Sequence, residues 1–452
     1  MQARKSGWLL LAALTVAVRP HTGWADEPKT LDQRVQELEQ KVNQSNPLST
    51  LGVSIHGLVA VDYLYDVNRP AGSAPPFLRS FEDKSNSFIL NLANLHFERA
   101  SKDGLGFVAD VDFGETANVV NNSTYFGKGY DLNGNPKLGN GTDFFDVRQF
   151  YLTYTIPVGS GIKLQVGRFV TLHGAEVIKS YNNINYNITN SILFGYAIPF
   201  THTGIMGTYA FNDQWTLNLG IVNGWDNVAD NNDGKSVHGM LTYAPSSAFS
   251  IAVSGIYGPE QSTHTATNPN NLDPVTGQPL PFVDSHGNPL IVHAGRSKRF
   301  LQTTVITYKP TDQLTLILDY DYANESDVVP HTISGTATGT LTDGILHTAQ
   351  WQGAAGYIIY AFTDKLSGAL RAEIFDDMDG MRTLAAGVNG LGPGNQATYY
   401  EFTPTLTYKV AEGLFWRNEY RHDESDSKKV FPRENLFVRG QDTLATELVY
   451  TF

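Results

Sequence analysis

The chain is predicted to be all-β: a transmembrane, antiparallel, up-and-down β-barrel of roughly sixteen strands, preceded by a short N-terminal helix. Three observations predict this. From Leu51 to the end, apolar and polar residues alternate with period two, in runs as long as a tilted membrane strand. Short turns alternate with long polar loops, as they do when turns lie in the periplasm and loops outside the cell. The chain also ends on an amphipathic strand whose last residue is the aromatic Phe452.

The N-terminus comes first. Arg4 and Lys5 form a positive region, Trp8 to Val18 an apolar one, and Gly23-Trp24-Ala25 places small residues where a signal peptidase reads. The pattern predicts a signal peptide over residues 1–25, too short for a spanning helix. The bland alternative is a buried N-terminal helix. Residues 26–50 form the next unit. Leu31, Val35, Leu38 and Val42 are spaced four, three and four inside Thr30 to Asn46, and Pro47 ends the run. A periplasmic helix or linker is expected, either a short coiled coil or a solvated amphipathic segment.

Composition narrows the classes. The 452 residues include no Cys, which excludes disulfides and thiolate sites. Loss of Arg4, Lys5 and Arg19 with the signal peptide takes the formal charge from −13 to −16, a poor balance for binding nucleic acid. No later segment has the apolar run of a membrane helix. A secreted, aromatic-rich chain then leaves either a soluble protein or a barrel.

The barrel is expected over 51–452, with strands near 51–65, 86–99, 104–114, 143–157, 161–170, 200–211, 214–225 and 235–245. The second half holds 248–258, 298–309, 313–325, 347–362, 366–378, 398–410, 413–424 and 441–452. Val53-Ile55-Gly57-Val59-Val61-Tyr63 is the apolar face of the first strand, and Phe107-Ala109-Val111-Phe113 that of the third. The second breaks phase between Leu92 and Leu95, which reads as a bulge. Short links fall at 101–103, 158–160, 212–213, 245–247, 310–312, 363–365 and 411–413. Long loops fall at 66–85, 114–142, 171–199, 226–234, 259–297, 326–346, 379–397 and 425–440. A soluble sandwich has no reason to keep that rhythm.

The last strand points Leu444, Thr446, Leu448, Tyr450 and Phe452 one way. Tyr450 and the terminal Phe452 resemble the C-terminal signal by which the barrel-assembly machinery recognises its clients. The expected location is the bacterial outer membrane, in contact with its lipid.

Val166-Gly167-Arg168-Phe169-Val170-Thr171-Leu172-His173-Gly174-Ala175-Glu176 is followed by Asn185 to Ser191, then by Gly195-Tyr196-Ala197-Ile198-Pro199-Phe200-Thr201-His202-Thr203-Gly204. These segments resemble the OmpL-like outer-membrane β-barrel porin family. There a strand ends in Gly-Lys/Arg-Phe, a Gly-x-Glu follows, and Pro-Phe-Thr-x-x-Gly opens the next strand. The resemblance implies passive or weakly selective diffusion of small hydrophilic solutes, without a cofactor.

If each apolar phase faces lipid, Asp62, Asp110, Asp112, Lys163, Asp319, Asp321, Arg371, Glu373, Glu401, Lys409, Arg417, Glu419, Arg421 and Glu447 face inward. Acids outnumber bases, which predicts a modest cation preference. The bland reading is a cross-strand ion-pair ladder at Arg417, Glu419 and Arg421, and both can hold together. Loop 171–199 is the third long loop. It is expected to fold inward, with Arg168, His173 and Glu176 near the constriction; the alternative packs it on the rim.

Other chemistry finds little support. Asp230 and Asp233, and Asp376, Asp377 and Asp379, lack EF-hand spacing, and no His-Glu-x-x-His is present, so no metal is expected. A barrel hydrolase would draw its base from His96, His202 or His238, but no spacing groups them with a Ser. A surface adhesin or structural anchor would use loop 259–297. A homo-oligomer is compatible with all of these readings.

Overall fold

The computed structural model describes residues 51–69, 76–82, 84–100, 104–121, 144–274, 276, 279–284, 286–332, 342–383, 396–426, 429–434 and 436–452. The expected signal peptide and the helix over 26–50 lie outside the described residues, as do the link 101–103 and parts of several long loops. The barrel lies within the unit Gly52–Phe452.

Sixteen strands close into one antiparallel barrel. The first eight are β1 (Ser54–Asp66), β2 (Ser87–Arg99), β3 (Leu105–Phe113), β4 (Phe145–Ile156), β5 (Ile162–Val170), β6 (Thr201–Ala210), β7 (Trp215–Val222) and β8 (Ser236–Ser246). The remainder are β9 (Phe249–Pro259), β10 (Lys298–Tyr308), β11 (Leu314–Thr332), β12 (Thr342–Ala361), β13 (Leu366–Asp377), β14 (Ala397–Ala411), β15 (Leu414–Ser425) and β16 (Gly440–Thr451).

The pleat explains the two faces. Successive side chains point to opposite sides, so a period-two sequence puts one set in lipid and the other in the lumen. On β13, Ala369, Arg371, Glu373, Phe375 and Asp377 are buried within the barrel, while Ala372 and Ile374 between them are exposed. Rings gather toward the short-turn end of the outer wall, where Trp215 stacks on Tyr243 and Tyr360 meets Phe362 edge-on. Phe88, Phe113, Phe145 and Tyr400 are exposed near the other end. Paired aromatic girdles of this kind mark the two edges of a membrane barrel.

Closure is made by β16, which pairs with both β15 and β1. Glu447 sits between Arg417 on one side and Asp62 on the other. The seam continues one step further: Gly57 N donates to Phe452 O at 2.9 Å, and Phe452 N to Gly57 O at 3.0 Å.

Two details differ from the sequence-based expectation. The bulge in β2 is at Asn91, because Ala60 pairs with Leu92 while Val61 pairs with Leu90. A matching bulge in β4 leaves Arg148 unopposed. The loop expected at 326–346 is shorter than its range, since β11 runs to Thr332 and β12 starts at Thr342. There the hairpin ribbon keeps its cross-strand hydrogen bonds after apolar alternation has ended.

The long loops do not all stay outside. Segment 171–199 enters the barrel and carries a short π-helical turn, Leu193–Ala197. Leu78 and Phe81 of the first long loop pack beside it. With Phe200, Trp225, Trp351, Phe375 and Tyr399 they make one buried apolar cluster in the lumen.

Candidate pore and its inward-folded loop

The wall that receives the loop is built by β13–β16, whose inward positions alternate charge. Arg371 Nε donates to Glu401 at 2.7 Å, Arg417 Nη1 to Glu447 at 2.7 Å and Arg421 Nε to Asp423 at 2.8 Å. The three guanidiniums are fully buried. Other donors of the same three go to the loop: Arg371 to Thr189 O at 2.7 Å, Arg417 to Ile184 O at 3.1 Å and Arg421 to Asn190 O at 2.5 Å.

Carboxylates on the same wall hold loop amides. Glu419 accepts from Ile188 N at 2.6 Å and Thr189 N at 3.1 Å, and Glu373 from Ile192 N at 2.6 Å and Leu193 N at 3.1 Å. A buried loop must satisfy its backbone groups somewhere. Here it uses charged side chains of the wall in place of a neighbouring strand. Asn187 adds a 2.7 Å bond to Thr405, and the Trp351 indole donates to Ala197 O at 3.2 Å.

Two of the three residues expected at the constriction reach the lumen. Glu176 meets Arg371 at 2.5 Å and accepts from the Tyr357 hydroxyl at 3.0 Å. His173 places Nδ1 2.9 Å from both Thr303 Oγ1 and Ser254 Oγ. Burial, with His202 nearby, holds its pKa well below the ordinary imidazole value. Arg168 is a correction. It pairs with Phe150, whose side chain is exposed on the outer wall, and donates to Asp146 at 2.9 Å. The strand phase that carries Leu164 and Val166 outward carries Arg168 with them.

The other charged candidates occupy the inward phase of their strands. Asp110 and Asp112 lie on β3 with Arg148 at 3.5 and 3.4 Å, and His96 meets Asp110 at 2.9 Å. Asp62 and Glu447 oppose each other across the closing seam. Asp319 accepts from Ala175 N at 2.7 Å, and Asp321 from Thr303 at 2.5 Å. Lys163 and Lys409 stand apart from this cluster near the short-turn end, where Lys409 pairs with Glu412 at 2.7 Å.

Sequence reasoning missed several partners. Lys179 reaches Glu447 at 2.5 Å, and its carbonyl accepts from Arg148 at 2.7 Å. Arg79, from the first long loop, reaches Asp423 at 2.6 Å. Lys179 and Arg79 sit in segments without periodicity, and Arg148 sits at a bulge, where phase is lost.

The lumen is therefore uneven along its height. Toward the short turns, the inward Thr153, Gln165, Thr208, Thr242, Thr307 and Thr407 are only half-buried. A recess of about 410 Å³ opens there, lined among others by Gln313, Lys365, Ser367, Thr407, Lys409 and Phe415. Asn182, Asn183 and Tyr186, on the loop, are exposed. The other half is packed by the loop and the apolar cluster. The hydrolase geometry does not assemble at His173, because Ser254 and Thr303 share one ring nitrogen. Its other nitrogen has no orienting acid among the described residues.

The family model described as "Putative beta-barrel porin-2, OmpL-like" matches residues 52–452. No curated protein matches the chain. Among solved structures, a loop L8 deletion mutant of OmpT, an outer membrane protein of Vibrio cholerae, superposes with a TM-score of 0.51 at 11% identity, covering 88% of this chain and 99% of that one. An anion-selective porin from Comamonas acidovorans gives 0.50 at 10% identity, with 88% and 99% covered. OprB of Pseudomonas putida gives 0.50 at 11%, with 91% and 97% covered. At such identities the likeness is one of fold.

Proposed function

The chain belongs to the OmpL-like β-barrel porin family of the outer membrane, and on that footing we propose that it conducts small hydrophilic solutes passively, with a weak preference for cations, and catalyses no reaction. The observation that carries this reading is the charge of the inner wall. Its guanidiniums are matched by carboxylates, whereas Asp62, Asp319 and Asp321 have no salt-bridge partner among the described residues. When ionised, such an unpaired acidic surplus attracts cations and repels anions.

In this reading loop 171–199 sets the narrowest point, with His173 and Glu176 on it. The inward charges from Asp62 to Glu447, Lys163 and Lys409 included, form the electrostatic lining. Tyr450 and Phe452 act as the signal read by the assembly machinery. A homo-oligomer fits as well, since the in-vitro folded Vibrio cholerae protein is described in a trimer form.

Planar-bilayer recording tests the proposal. Purified full-length protein should give stepwise currents, and a salt gradient should give a reversal potential of the sign set by cation flow. Silent bilayers with correctly folded protein would defeat the channel; a reversal potential of anion sign would defeat the preference alone.

A further inference from the structure

Three histidines meet where loop 171–199 leaves the wall. His173 is on the loop, His202 opens β6 and His238 lies on β8. The His238 ring lies between the other two, stacked on His173 at 5.0 Å and 15°, and 4.4 Å from His202. All three are at most 2% exposed. Neither ring nitrogen of His238, nor Nε2 of His173, has a hydrogen-bond partner among the described residues. Buried polar atoms left in this way are rare and call for a reason. An imidazolium would need an acceptor at each nitrogen, so this packing suits uncharged rings.

We propose that His173, His202 and His238 form a proton-operated catch that holds the root of the loop to the wall when the rings are neutral and releases it when more than one is charged. The inference rests on the channel reading above. Two charged rings less than about 5 Å apart, shielded from water, repel strongly. His202 and His238 sit on strands bonded on both sides, whereas His173 is carried by a loop. The repulsion is relieved by moving His173. That breaks its bonds to Ser254 and Thr303 and pulls on Ala175 and Glu176, which are held by Asp319 and Arg371.

The charged neighbours decide how many protons are needed. Asp321 on β11 reaches His173 only through the Thr303 hydroxyl, and Asp319 is engaged by the Ala175 amide. Glu176 pairs with Arg371 on β13. Arg299 on β10 pairs with Glu325 on β11, and Asp226 beyond β7 accepts from the amides of Phe200 and Thr201. Glu260 beyond β9 accepts from Ser236 on β8. Among the described residues no carboxylate is in direct contact with any of the three rings, so a second proton meets an unbalanced first one and release comes on acidification.

The test is bilayer conductance of the whole protein between about pH 7.5 and about pH 3.5, a scan that reaches below the ordinary imidazole range because burial holds His173 well beneath it. Wild type should gain about two- to three-fold in mean conductance at the acid end. His238→Phe and His202→Phe keep a ring in place without a titrating nitrogen, and each should flatten that rise. Folding of both is checked by heat-modifiable migration, and either one alone suffices if the other does not assemble. Protonation of lumen carboxylates acts equally on wild type and variants, so the difference between them is the readout. A wild-type current independent of pH, a fall on acidification, or a rise retained in a folded variant overturns the catch and leaves the channel standing. No current at any pH overturns both.

Discussion

Gly57 and Phe452 meet where the cylinder closes. A Cβ built on Gly57 would lie 2.4 Å from Phe452 Cζ and 2.9 Å from Asn94 O. Only glycine lets the terminal ring lie across β1 while both backbone bonds of the seam form. Gly57→Val should therefore lower the fraction of heat-modifiable barrel several-fold, as should deletion of Phe452; normal folding of both would remove the seam from any role in assembly. Asp226 gives a second test at this scale. It lies in the loop after β7 with φ of 59°, and Oδ1 accepts from Phe200 N and Thr201 N, both at 2.8 Å. Burial pushes its carboxyl up to about 6. The folded state then holds the proton longer than the unfolded chain, so stability falls as pH rises from about 4 through about 6. Asp226→Asn keeps the acceptor and tolerates the backbone. It should remove that slope and leave the variant more stable than wild type at neutral pH, where the wild-type carboxyl is ionised, as read from thermal unfolding at several pH values.

At the scale of elements, the loop behaves like an inserted strand whose partner is a row of side chains. Removing one of those side chains leaves buried groups unmatched. Arg371→Ala strands Glu176, Glu401 and the Thr189 carbonyl together. It should cost about 3–5 kcal/mol, seen as earlier heat unfolding, and should raise conductance and current noise as the loop loosens. An unchanged unfolding temperature would show that the loop is held elsewhere. On β15, Arg417 and Arg421 form ion pairs with carboxylates of the wall and Glu419 accepts from the Thr405 hydroxyl, and all three also clamp this loop. The three residues divide their bonds between strand neighbours and loop backbone.

Across the whole molecule, charge selectivity depends on sums, and the sums are altered by pairing. Asp110 and Asp112 flank the buried Arg148. Changing both to Asn removes two negative charges and leaves the one positive charge of Arg148 unmatched. The reversal potential of the double variant should shift toward anions. An unchanged reversal potential would mean that this cluster lies off the ion path.

The strands were legible because half of each is in lipid. Solvent contrast across a pleat writes itself into the sequence as period two, and sixteen such segments, separated by turns short on one side and long on the other, specify a closed wall. The inward phase of Asp62, Asp110 or Arg371 followed from the same alternation. The site did not. Arg168 fell on the outward phase that Leu164 and Val166 already carry, whereas its position in the sequence groups it with the loop that follows it. The pairing of Lys179 with Glu447, or of Glu176 with Arg371, joins residues far apart in the chain, and a loop carries no period to announce where it will lie. Only the closed barrel, by bringing sixteen inner faces to one axis, decided which charges meet the loop and how deeply it sits.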